Sequence, residues 1–132
     1  LAHIDLFHRL FYGIDDSNYR DHLDKALWLG DASVDAIYRQ KKSDGVYNRL
    51  LQFSLRQQVA QVDIELDLDK EPYRFRARTV FEVHRGTVID RYQLVTSGEL
   101  IVVERNFPHN PHGLLITDFF EDSLRKLEPQ TK

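Results

Sequence analysis

Apolar residues recur every three or four positions through roughly the first fifty residues of the chain, then at every second position. The first spacing is that of helices with one buried stripe and the second that of strands with one buried face. In "LAHIDLFHRLFYG" the stripe is Ile4, Phe7, Leu10 and Phe11, and Gly13 stands where the helix is expected to stop. A second helix is expected after an N-cap at Asp16 or Ser17, with Tyr19, Leu23, Ala26, Leu27 and Gly30 on one face. A third starts at Asp31 or Ser33 and carries Val34, Ile37 and Tyr38; a fourth is capped by Ser43 or Asp44 and buries Val46, Tyr47, Leu50 and Leu51.

From about residue 57 the strand period takes over. In "QVDIELDLD" Val62, Ile64, Leu66 and Leu68 alternate with acids; in "YRFRARTVFEV" Tyr73, Phe75, Ala77, Thr79, Phe81 and Val83 alternate with polar residues that include Arg74, Arg76 and Arg78. The segment Asp69 to Pro72 between them has hairpin length. Placing Leu68 opposite Tyr73 sets Asp67 against Arg74, Glu65 against Arg76 and Asp63 against Arg78. Each such pair contributes only about 0.2 to 1 kcal/mol, but a one-residue slip would lose all three together with the apolar face. The arginine stripe therefore reads as half of a neutralised solvent face rather than a groove for an acidic ligand. "HRGT" (84–87) is expected to turn, Thr87 to Thr96 to form a strand, "TSGE" (96–99) to turn again, and "ELIVVERNF" to form a central strand. A last strand, or strand leading to a helix, runs from Leu114 to Phe120. Helices followed by a strand meander predict an α+β fold, with the helices on one face of a twisted antiparallel sheet.

Composition narrows the function classes. The 132 residues include 18 Lys and Arg against 21 Asp and Glu, a formal net charge of -3, which argues against a general phosphate-backbone binder; no direct nucleic-acid contact is expected. Cysteine is absent, so disulfides, thiolate nucleophiles and sulfur-ligated metals are excluded. No apolar run reaches bilayer length, and no signal peptide opens the chain. A chain that starts at Leu1 and contains no methionine is expected to be a fragment or processed form, with any anchor upstream.

The candidate chemistry is sparse. His109 and His112 flank Pro111 on a loop and supply half of a structural zinc set, with no third ligand close in sequence. In the same stretch, Asn110 before Pro111 is pushed out of the α region and Gly113 allows positive φ, so "NPHG" is expected to form a type I or II turn. Asn110, Pro111 and Gly113 are thus structural-turn residues; no catalytic, cofactor-binding or metal-ligating residue is assigned. His8 shares a row with Ile4 and Phe11. Were the domain a small enzyme or ligand binder, His8, Tyr12, Asp90 and Asp118 would be its polar candidates, and Trp28, Tyr47 and Tyr92 are core or interface residues.

Four segments, "HIDLFHRLFY" (3–12), "ALWLGDAS" (26–33), "GVYNRLL" (45–51) and "NPHGLLITDF" (110–119), together with "LVTSGEL" (94–100), are similar in colinear order to signatures of the TraK family of conjugative-transposon proteins. Such proteins are VirB-type inner-membrane scaffold components of type IV secretion systems. The resemblance implies a single periplasmic domain over 1–132, with the NTF2-like cone fold and an upstream transmembrane helix. It implies no cofactor, other channel subunits as partners, and homo-oligomers. Asn110, Pro111 and Gly113 fall on the family's N-P-x-G turn, whereas His109 and His112 are outside it.

Overall fold

The computed structural model describes residues 1–128. Four helices, α1 (Ala2–Tyr12), α2 (Tyr19–Leu27), α3 (Ala32–Ser43) and α4 (Val46–Gln52), precede four strands, β1 (Arg56–Asp67), β2 (Tyr73–Arg85), β3 (Val88–Val102) and β4 (Leu114–Lys126). The strands form one antiparallel sheet in the order β1-β2-β3-β4.

The period-2 face of the sheet is what the helices cover. Phe75, Ala77 and Phe81 of β2, Leu94 and Leu100 of β3, and Ile116 and Phe119 of β4 are buried against Ile4, Phe7 and Phe11 of α1. Full burial of each of these large side chains is worth about 1.5 to 3 kcal/mol. Phe7 lies at the centre, stacked with Phe11 at 5.1 Å and edge-on to Phe119 at 5.1 Å.

The β1/β2 register has Asp67 opposite Arg74, Glu65 opposite Arg76 and Asp63 opposite Arg78, as the charge spacing predicts. Among the described residues, however, none of these three pairs closes to ion-pair distance. They share a row without a fixed contact, which fits the small value of exposed pairs. Leu68 lies outside the strand and is exposed, and the turn at Gly86 and Thr87 joins Arg85 to Val88, with Gly86 at φ +58°.

Several local expectations are corrected. "TSGE" is not a turn: Thr96 to Glu99 continue through the middle of β3, and the two expected strands are one. The reason is tertiary. A Cβ on Gly98 would lie 2.9 Å from the Phe75 ring and 3.0 Å from Thr117 O, so glycine lets neighbouring chain and ring close in. Val103 to Phe107 leave the sheet, and β4 runs on to Lys126 instead of ending at Phe120. Helix α2 starts after Asn18 rather than Asp16 or Ser17; the carboxylate of Asp15 instead accepts from the Ser17 and Asn18 amides in the preceding turn. The N-cap of α4 is Gly45, at φ +79°, not Ser43 or Asp44, and Leu51 is exposed. Asp31, one of the two expected caps, does cap α3 by accepting from Ser33 N at 2.9 Å.

Gly30 belongs to no helix face. It bridges in parallel to Ile116, with Asp31 N donating to Ile116 O and Ile116 N to Leu29 O, and Ser33 Oγ accepts from Phe119 N. The first half of the β4 edge is thereby sealed. No helix among the described residues is long and apolar enough to cross a membrane.

Candidate functional site

Two polar clusters attach to the helix-covered side of the sheet. The first lies at the open end of the core, where α1, α3, α4 and β4 leave a cavity of about 500 Å³. Its walls include Phe11, Phe81, Leu94 and Leu124, and three polar groups meet at its floor. Tyr12 donates its phenol hydrogen to Glu121 Oε2 at 2.7 Å, and Lys41 Nζ donates to the same oxygen at 2.7 Å. The Lys41 ammonium also lies 4.8 Å from the Tyr12 ring centroid and 5.3 Å from that of Phe11. Burial, with the Glu121 carboxylate close by, pushes the Tyr12 phenol well above its ordinary range. Burial also raises Tyr47, whose Oη is enclosed without a hydrogen-bond partner among the described residues. Both phenols are therefore neutral at physiological pH.

His8 sits behind this floor, sealed among Phe7, Tyr12, Phe75 and Phe119. It is fully buried. Its Nδ1 lies 2.7 Å from Ile4 O, which only accepts, so Nδ1 carries the proton and Nε2 receives the Thr96 hydroxyl at 2.7 Å. Desolvation lowers His8 to about 4, the Ile4 carbonyl opposing the shift. A neutral imidazole with both nitrogens engaged and no solvent path is core structure.

Of the four polar candidates, only His8 and Tyr12 meet. Asp90 is paired with Lys126 at 3.3 Å. Asp118 is exposed at φ +46° within a β-bulge facing Glu99, and its hydrogen bond raises the Glu99 carboxyl above the usual range. The partners that complete the Tyr12 cluster, Lys41 and Glu121, are not legible in the sequence because Glu121 lies 80 residues from Lys41 and 109 from Tyr12. Tyr92 stacks on Phe81 at 5.5 Å.

The second cluster surrounds the loop before β4. His109 stacks on the half-exposed Trp28, ring centroids 4.1 Å apart, so Trp28 covers a loop instead of filling the core. His112 faces buried His3, with Nδ1 atoms 3.1 Å apart, while His3 Nε2 donates to Leu29 O at 3.1 Å. That bond leaves His3 Nδ1 as acceptor, so His112 Nδ1 donates. Burial is the main cause lowering His3 to about 4. His109 and His112 thus point to different partners, and no group of three or more metal-ligating side chains occurs among the described residues. Asn110 is buried; its Nδ2 donates to Leu114 O at 2.7 Å and its main chain pairs with Asn106. Gly113 has φ +67° and accepts from Val103 N.

No family model matches the sequence, and no curated protein does. Solved structures do resemble the fold. An IcmL-like type IV secretion system protein from Legionella pneumophila superposes with a TM-score of 0.74 at 9% identity, over 99% of this chain and 93% of that one. The soluble domain of TrwG, type IV secretion machinery from Bartonella grahamii, gives 0.72 at 15% identity over 97% and 93%. CagV, a VirB8 homologue from Helicobacter pylori, gives 0.61 at 17% identity over 97% and 100%. What this chain shares with them is the fold, an α+β NTF2-like cone of helices on a four-stranded antiparallel sheet.

Proposed function

We propose that this chain is a single periplasmic domain of a VirB8-like component of a type IV secretion system, of the TraK kind, anchored in the inner membrane by a segment outside it. It acts without catalysis, as a scaffold that self-associates and contacts other channel subunits during assembly of a conjugative DNA-transfer apparatus. The observation that carries this reading is likeness along nearly the whole length of three secretion proteins from three bacteria, at 97 to 99% coverage of this chain. The colinear TraK signatures support the finer assignment. Fold likeness alone does not transfer an activity, so the polar candidates matter: Phe7, Phe75 and Phe119 pack around His8 at the centre of the core, and the Glu121 carboxylate of the open cavity is already engaged by Tyr12 and Lys41. The sealed, neutral His8 offers no base to a substrate.

Deleting the gene in donor cells is expected to abolish DNA transfer, with recovery on complementation. In vivo cross-linking is expected to join the domain to a second copy and to another channel subunit. Undiminished transfer, or a domain that stays monomeric and unattached, would refute the scaffold role.

A further inference from the structure

The cavity at the open end of the core already holds one cation. Lys41 reaches from α3 to Glu121 on β4, and its ammonium rests against the Tyr12 and Phe11 rings at 4.8 and 5.3 Å. A carboxylate backed by aromatic faces favours ammonium or guanidinium over neutral and anionic groups. Lys41 does not exhaust this site. About 500 Å³ remains open with its side chain in place, and both hydrogen bonds that Glu121 receives go to Oε2. Tyr47 also lines the cavity, with its Oη enclosed behind the wall and without a partner among the described residues. Asp122 also borders the cavity, so its lining carries two acidic residues and one lysine. Phe81, Leu94 and the exposed Leu124 provide an apolar approach suited to a long aliphatic stem.

We propose that this cage is a receptor for a lysine or arginine side chain presented by a partner protein, with Lys41 as the intramolecular competitor that occupies it in the free domain. That the partner is another channel subunit rests on the function proposed above; the chemistry of the cage does not. An incoming ammonium takes the Glu121 carboxylate against the Tyr12 and Phe11 rings while its methylenes lie along Phe81 and Leu124, and the Lys41 side chain withdraws to solvent.

The test is an NMR titration of the isolated 132-residue chain with a blocked alanine-lysine-alanine tripeptide and with the same peptide carrying norleucine in place of lysine. The lysine peptide is expected to shift Tyr12, Tyr47 and Leu124 resonances, and the norleucine peptide to leave them in place. Lys41→Ala is expected to bind the lysine peptide about tenfold more tightly, because the occupied state no longer competes. Glu121→Gln is expected to abolish binding; should that variant fold poorly, Leu124→Ala, which trims the exposed apolar approach, is expected to weaken it several-fold. Equal responses to both peptides, or unchanged affinity in a folded Lys41→Ala, would overturn the proposal. Self-association that the lysine peptide inhibits would make a second copy the occupant and overturn the assignment to a different subunit. These outcomes are independent of DNA transfer, so cage and scaffold can fail separately.

Discussion

Acid should destabilise this fold through His8 in a way that a matched variant can isolate. The imidazole is fully buried and neutral, with Nδ1–H on Ile4 O and Nε2 accepting from Thr96, and its pKa falls from 6.5 to about 4. The unfolded chain therefore binds a proton at this position before the folded one does. Stability is fully present above pH 6.5 and is lost as pH falls through the window down to about 4. At about 1.36 kcal/mol per unit of difference, the whole window is worth ~3.4 kcal/mol, of which ~2 kcal/mol is gone by pH 5. The matched variant is His8→Leu combined with Thr96→Val, which removes the titrating ring without stranding the hydroxyl that bonds to it. Urea unfolding at half-unit steps from pH 7.5 to 4 gives the stability of each protein. The wild type is expected to lose ~3 kcal/mol more than the variant across that range, with the slopes differing by about one proton. His3, also lowered to about 4, and the carboxylates titrate in both proteins and cancel. Parallel curves would refute the buried neutral imidazole.

Four further substitutions probe the packing by the same urea assay. Thr79 and Thr96 are both fully buried, yet Thr96 bonds to His8 while Thr79 Oγ1 has no partner among the described residues. The same change to valine is accordingly expected to stabilise by up to about 1 kcal/mol at Thr79 and to cost about 1 to 3 kcal/mol at Thr96, and equal effects would contradict the assignment. Gly98→Ala is expected to cost about 1 to 3 kcal/mol, because the new methyl meets both the Phe75 ring and the Thr117 carbonyl; unaltered stability would show that the sheet opens freely there. Asp31→Ala removes the acceptor for Ser33 N and for the Ser33 hydroxyl, which in turn receives Phe119 N, and is expected to cost about 0.5 to 2 kcal/mol.

Legibility in the sequence followed the range of the interaction. The β1/β2 register was readable because alternation and opposite charge are both local signals, and a single turn length satisfied three pairs at once. The stripe of α1 was readable because its period is strict. "TSGE" misled because its serine and glycine carry turn chemistry, while the requirement that decides their conformation is the Phe75 ring on another strand. Gly45 displaced Ser43 and Asp44 as the α4 cap through a left-handed turn that favours glycine, joining α3 and α4 with almost no loop. Nothing local tied Lys41 or Tyr12 to Glu121, nor His3 to His112, and the second pair spans 109 residues. The candidate site was therefore visible only as Tyr12, without the acid and ammonium that give it a chemistry.

The position of α1 has a mechanical consequence. Ile4, Phe7, His8 and Phe11 form the middle of the interior, and His3 is clasped to His112 from the far end of the sequence. A tug on Leu1 would meet little slack, since α1 begins at Ala2 and His3 and Ile4 are already buried, so the load would pass almost at once to the aromatic interior and the clasp.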